Sequence, residues 1–225
     1  MSMKILLIAL LLFASCFNAF GKVKPTSKEK AEKKAAVEIL QKYANASNIT
    51  VAIEKQDEKM ALGTKTISEG TIKYSAGKIY LVLNSDKKTE LYFKNGKLTL
   101  VDYPDVDFDK DGIRKVTVVA KKTPAFLKSL INLFSDPKIF FSEFTIVESS
   151  ISGDSLTLVL KPKSEDLKEF KLILDNQQKT IESVSFVDDV STKTSIRFKN
   201  LNLKRKISKS TFEYKPQASD QVVTQ

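Results

Sequence analysis

The side chains that most often do chemistry are nearly missing from this chain. Its 225 residues contain no His, no Trp and a single Cys, Cys16. Without an imidazole there is no Ser–His–Asp or Cys–His pairing of nucleophile and base. Without His and Cys clusters there is no zinc site of the common donor set, and one Cys closes no internal disulfide. What remains is carboxylate, Lys or Tyr chemistry. The paired acids Asp188-Asp189 and Glu165-Asp166 fall in turns or at strand ends. Neighbouring strand residues point to opposite faces, so these pairs do not make a glycosidase-type site. Asp107-Phe108-Asp109-Lys110-Asp111-Gly112 matches the first half of a calcium loop, with oxygen donors at alternate positions and a Gly for the turn. Its twelfth position, where a bidentate Glu belongs, is Val118. The segment reads more as an acidic, solvated hairpin loop than as a metal site. No catalytic residue, cofactor or metal is expected, and the chain is read as a non-enzyme.

Charge and apolar content bound the remaining classes. Lys and Arg number 37 against 27 Asp and Glu, a net charge of +10, and 42% of residues are hydrophobic. That apolar share builds a real core and argues against disorder. The basic runs Lys28-Glu29-Lys30, Lys121-Lys122 and Lys204-Arg205-Lys206 come with no RNA- or DNA-binding motif. They are read as a diffuse positive field that aids solubility, and no nucleic-acid partner is expected.

Met1 to Gly21 has the layout of a secretory signal: Lys4, an unbroken apolar run from Ile5 to Phe13, and Ala19-Phe20-Gly21 as a cleavage site. The run is too short to span a bilayer. The mature chain is expected to be one domain over residues 22–225, beginning at Lys22 and exported to an oxidising compartment outside the cytosol. Cys16 has two readings: a small signal residue lost on cleavage, or the lipidated Cys of a lipobox formed by Phe13-Ala14-Ser15-Cys16.

The elements around these residues follow from periodicity. Thr26-Ser27-Lys28-Glu29 is a capping box. Ala31, Ala35, Ile39, Leu40 and Tyr43 then recur at helical spacing, predicting a helix over Ser27 to Tyr43. After Asn48 the period becomes two. Strands are expected around Ile49–Ile53, Ile67–Tyr74, Lys78–Asn84, Leu91–Phe93, Leu98–Leu100, Lys115–Ala120, Phe144–Glu148, Ser155–Lys161, Lys168–Leu174, Thr180–Asp188 and Lys193–Asn202. A last short strand is expected at Phe212 and Tyr214. Ser75-Ala76-Gly77 and Asn95-Gly96 are the turn signals. Thr123-Pro124 starts a second helix, with Thr123 as N-cap and Pro124 in the first turn. Phe126, Leu127, Leu130, Ile131 and Phe134 form its apolar stripe. So many strands in a meander must close or nearly close to protect their edges. The apolar helix then fits a lid over an internal cavity.

Several phrases, in this order and spacing, carry a family resemblance. They are Ile49-Thr50-Val51-Ala52-Ile53-Glu54-Lys55-Gln56, Glu69-Gly70-Thr71-Ile72-Lys73-Tyr74, Asn95-Gly96-Lys97-Leu98 and Tyr103-Pro104-Asp105. Thr123-Pro124-Ala125-Phe126-Leu127, Leu160-Lys161-Pro162-Lys163 with Leu167-Lys168-Glu169-Phe170, and Phe212-Glu213-Tyr214-Lys215-Pro216 complete the set. Over nearly its whole length the mature chain resembles the outer-membrane lipoprotein carrier family (LolA-like). The resemblance implies a mainly β fold: an unclosed antiparallel β-barrel of about 11 strands with a helical lid. It implies a monomeric periplasmic chaperone that carries acylated lipoproteins from an inner-membrane ABC transporter to an outer-membrane acceptor lipoprotein. By position it places Tyr43, Val51, Ile53, Ile72, Tyr74, Phe126, Leu127 and Leu130 in the acyl-binding cavity and lid. Strand parity adds Leu91, Phe93, Phe170, Leu172 and Phe186. One departure stands out. Where the family often has Arg-Pro, this chain has Ala76-Gly77, with Lys78 next in line to supply a positive charge at the barrel mouth. Two other readings remain: an outer-membrane acceptor of the same fold lipidated at Cys16, and a carrier of lipids or glycolipids without lipoprotein clients.

Overall fold

The computed structural model describes residues 27–105, 107–108, 112–120 and 123–225. The signal segment with Cys16, the proposed cap Thr26, the Lys121-Lys122 run, and Asp109 and Asp111 of the acidic loop lie outside the described residues.

Helix α1, Ser27–Ala44, buries Ala36, Ile39, Leu40 and Tyr43, so its apolar stripe starts later than Ala31, which is exposed. Glu32 lies on the same buried side, where its carboxylate takes the hydroxyl of Ser149 and draws Lys28 to 3.9 Å. Twelve strands then make one sheet: β1 Ile49–Lys59, β2 Thr64–Ser75, β3 Lys78–Asn84, β4 Lys88–Lys94, β5 Lys97–Asp102, β6 Lys115–Val119, β7 Phe144–Ser152, β8 Ser155–Pro162, β9 Leu167–Asp175, β10 Thr180–Asp188, β11 Thr192–Asn202 and β12 Gln221–Thr224. Their lateral order is β12-β6-β5-β4-β3-β2-β1-β11-β10-β9-β8-β7. The sheet is mainly a meander, with β1 joined to β11, and β12 and β7 are its two edges. The barrel is therefore unclosed.

The turn chemistry sets the register. Asn95 and Gly96 both have positive φ, as do Ala76 and Gly77, which gives the tight hairpins that a right-twisted sheet prefers. At Gly70 a Cβ would sit 2.1 Å from the carbonyl oxygen of Val82, so only Gly lets β2 and β3 approach this closely.

Period two sorts the side chains. Phe170, Leu172 and Leu174 of β9 are buried on one face, as are Val184 and Phe186 of β10 and Ile196 of β11. This concave face is covered by α1, by α2 (Ala125–Ser135) and by α3 (Pro137–Ser142). Phe134 of α2 is fully buried, with its ring 6.0 Å from Tyr43, 5.6 Å from Tyr74 and 6.2 Å from Phe198.

Three expectations are corrected. Pro124, not Thr123, is the N-cap of α2, and no side chain caps that helix. Proline has no N–H to donate and its extended backbone (ψ 139°) leads into the helix, so Ala125 becomes the first helical residue. Helix α3 was not expected. Asp136 accepts from the amides of Lys138 (2.8 Å) and Ile139 (3.1 Å), with Pro137 opening the first turn. Finally, Phe212 and Tyr214 form no strand. Residues Lys209–Phe212 make a 3₁₀ turn that packs Phe212 against the convex face. The last strand is β12, parallel to β6, with the Gln221 amide donating to the Arg114 carbonyl at 3.0 Å. Arg114 also holds Asp220 through two bonds of 2.7 and 2.8 Å, which pins the tail where β12 begins.

Candidate functional site: an apolar cavity beneath a helix

The concave face is not filled throughout. Between α2 and the sheet lies a cavity of about 530 Å³. The short turns at residues 76–77, 85–87 and 95–96 place Ile72 opposite Leu81, Leu81 opposite Leu91, and Leu91 opposite Leu100. This row across four strands forms one wall, with Ile79 and Leu83 beside it on β3. Phe186 and Ile196 form the facing wall. The start of α2, from Pro124 to Leu127 and again at Leu130, makes the roof. Phe126 lies on Phe186 with ring centroids 5.4 Å apart and planes 14° from parallel. Roof and wall thus meet through a stacked aromatic pair.

One end of the cavity is polar. Lys55, Thr89, Asp166, Asp188, Asp189 and Thr194 line it. Thr194 donates to Asp57 at 2.6 Å, and Lys55 pairs with the same carboxylate. Asp188 accepts the Thr192 amide at 2.7 Å, which fixes the β10–β11 turn at the rim. Lys78 lies at the other end of β3, in the tight β2–β3 hairpin, and does not line the cavity; Lys55 is the cation at this rim.

Of the thirteen residues named from the sequence, Ile72, Leu91, Phe126, Leu127, Leu130 and Phe186 line the cavity. Tyr43, Val51, Ile53, Tyr74, Phe93, Phe170 and Leu172 sit instead in the close-packed core, where helices and other side chains fill the space beside them. Parity assigns a face but not the gap next to it. Tyr43 shows the difference. Its hydroxyl oxygen accepts the Ile181 amide at 2.7 Å, and burial pushes its ionisation up to about 12, which makes it a fixed link between α1 and β10. Ile79, Leu81, Leu83, Leu100 and Ile196 were not picked out, although the hairpin turns carry the register that aligns most of them with Ile72 and Leu91.

Two lining hydroxyls, Thr89 and Thr194, donate to carboxylates, that of Asp102 at 2.9 Å and that of Asp57 at 2.6 Å. The cavity as a whole is an apolar enclosure with a helical roof and a polar lip. An open, curled sheet with helices laid across its hollow and a cavity left beneath one of them defines a barrel-like binding protein. Residues 105–215 match the family model described as outer membrane lipoprotein carrier protein LolA, and the chain resembles that family. The match covers Thr123–Leu127 and Phe212–Lys215 but not the phrases before residue 105. No curated protein sequence matches. Among solved structures, an uncharacterized conserved protein from Thermus thermophilus aligns at 7% identity and TM-score 0.46, over 85% of this chain and 98% of that one. A LolA superfamily protein from Nitrosomonas europaea aligns at 7% identity and TM-score 0.39, over 81% and 97%. The MucA/MucB complex from Pseudomonas aeruginosa aligns at 11% identity and TM-score 0.41, over 82% and 61%.

Proposed function

We propose that this protein is a periplasmic carrier that holds the acyl chains of lipoproteins in the cavity beneath α2 and conveys them from the inner to the outer membrane. The observation that carries the reading is the cavity itself. Its walls and roof are almost wholly aliphatic and aromatic, its polar groups are confined to one end, and its volume of about 530 Å³ falls within the roughly 300–1,000 Å³ of typical ligand sites. Exposed acyl chains cost about 0.8 kcal/mol per CH₂ in water. A carrier must hide them and still release them, so the roof has to be separable from the walls. The roof here is the uncapped start of α2, joined to the wall through Phe126 and Phe186. The polar lip leaves room for the client's head to remain in water.

On this reading the chain receives its cargo from an inner-membrane ABC transporter, surrenders it to an outer-membrane acceptor lipoprotein, and works as a monomer with no catalytic step. The test is to recover the protein from the periplasm without detergent and identify what it carries by native mass spectrometry. Bound acylated lipoprotein on a chain that begins at Lys22 is the expected result. A lipidated Cys16 would make the protein an acceptor instead. Phospholipid or glycolipid in place of lipoprotein would make it a general lipid carrier.

A further inference from the structure

The convex face of the same sheet holds a second cavity, of about 590 Å³, between the sheet and the tail that leads to β12. Four of the six tyrosines, Tyr80, Tyr92, Tyr103 and Tyr214, line it. At its floor is Glu90, only 6% exposed. One Glu90 oxygen accepts from the Tyr80 hydroxyl (3.0 Å) and pairs with Lys88 (2.8 Å). The other accepts from Tyr92 (2.7 Å) and Tyr103 (3.0 Å). Tyr214 donates to Asp220, the carboxylate that Arg114 clamps.

All four phenol hydrogens are therefore committed to buried carboxylates. A hydroxyl that has given its hydrogen can only accept from anything else. The phenolic oxygens of Tyr80, Tyr92 and Tyr214 thus offer the cavity acceptors and no donors, while that of Tyr103 already faces Lys88 and Arg114. The charges are equally one-sided. Glu90 is matched by Lys88, Asp220 by Arg114, and Glu213 by Lys94 at 2.7 Å. Lys73 and Lys215 also line the cavity; Lys215 adds its field to that of Lys94 on Glu213, and among the described residues Lys73 forms no ion pair. Lys73 lies 5.5 Å from the centre of the Tyr80 ring.

We propose that this cleft binds an acidic saccharide. Sugar hydroxyls supply the donors that the phenolic oxygens need. An anionic group on the sugar meets Lys73 and Lys215 in charge-assisted bonds. The C–H face of the ring lies against the tyrosine rings, which have an apolar body and a polar edge. A neutral sugar leaves the Lys73 ammonium unmatched, and a bare anion leaves the phenolic oxygens unmatched. A free saccharide and a glycolipid headgroup share this chemistry. The site is on the opposite face from the acyl cavity and stands whether or not that cavity carries lipoprotein.

The test is calorimetric titration of the full mature chain with tetragalacturonate, with maltotetraose and inorganic phosphate as controls, alongside amide chemical-shift mapping. The expected result is binding of tetragalacturonate at least about tenfold tighter than either control, as one charge-assisted bond predicts. Shifts should cluster at residues 73, 80, 92 and 214. Lys73→Ala, which removes no hydrogen bond to either carboxylate, should weaken binding by about tenfold, and Phe126→Asp in the other cavity should leave it unchanged. No binding, equal binding of maltotetraose or phosphate, or shifts confined elsewhere would overturn the proposal. Shift mapping on the unaltered chain decides the matter even if a variant fails to fold. Sedimentation with vesicles containing glucuronosyl diacylglycerol, reversed by free tetragalacturonate, would assign the site to a lipid headgroup. Solution binding without sedimentation would assign it to a free saccharide.

Discussion

Strands β2 to β5 build two unlike sites by pointing alternate residues to opposite sides. Ile72, Leu81, Leu91 and Leu100 face the hollow under α2, while Lys73, Tyr80, Glu90 and Tyr92 face the tail. The first set surrounds an empty apolar space. The second ties itself together through a buried carboxylate with four partners. The hollow is held open by what lies around it, and the cleft is held rigid by what lies inside it. A single change should therefore affect one side and spare the other, because period two keeps the two sets of side chains apart.

The largest effect is expected in the hollow. Phe126→Asp places a charge against Phe186, and acyl-probe affinity should fall by about 100-fold, some 2.7 kcal/mol. Displacement of a fluorescent fatty acid measures this, and the far-ultraviolet circular dichroism should not change. Unaltered affinity would mean that α2 is not the roof of the binding site. Next is Glu90→Ala, which strands Lys88 and three phenols. It should destabilise the fold by about 2–3 kcal/mol in denaturant melts, while acyl-probe affinity of the folded protein stays the same.

Acid should then loosen the tail without touching the hollow. Hydrogen bonds from Arg114 hold the Asp220 carboxyl at about 2, against about 3.9 in an unfolded chain. A depressed folded value gives a contribution that is complete above about pH 4 and disappears as the pH falls towards 2. The protection of the Gln221 and Gln225 amides, each rate taken relative to intrinsic exchange at the same pH, should fall over that window, and Asp220→Asn should show low protection at every pH. Protection that stays constant with pH in the unaltered chain would separate the tail from the ion pair. The smallest effect is expected from Tyr80→Phe, which removes one of the bonds to Glu90. It should cost about 1 kcal/mol in the same melts and leave the acyl-probe affinity unmoved.

The hollow was more legible in the sequence than the cleft, for a physical reason. Apolar alternation and the Asn95-Gly96 turn are local, and they locate β3 as Lys78–Asn84 and β10 as Thr180–Asp188, where the structure has them. Residues such as Ile72 and Phe126 were found because one face of each element is apolar. Tyr43 and Leu172 share that pattern but are packed solid, since cavity and core differ only in what the other elements leave unfilled. The cleft leaves no such local trace. Glu90 and Tyr80 come together through strand register, and Arg114 meets Asp220 across 106 positions of chain. β12 depends on that meeting, so Val222 and Val223 did not stand out as a strand. Helix α3 is only six residues long, and its signal, Asp136-Pro137, is a single start mark with too short a run behind it to show a period.

The two ends of α2 are secured unequally. At its last turn Phe134 is locked among Tyr43, Tyr74 and Phe198, and the next residues turn at once into the capped start of α3. Its first turn has no side-chain cap and rests on the Phe126–Phe186 stack and on the buried Leu127, with no partner as extensive as the cluster around Phe134. The helix is thus a lever with its fulcrum at one tip. Phe126 stands about 12 Å from Phe134 along the axis, so a modest tilt there swings Phe126 by several ångströms while Phe134 barely stirs. A hollow hinged in this way would widen at its lip with its deep end undisturbed, and on the proposed function its capacity would follow the length of the acyl chain.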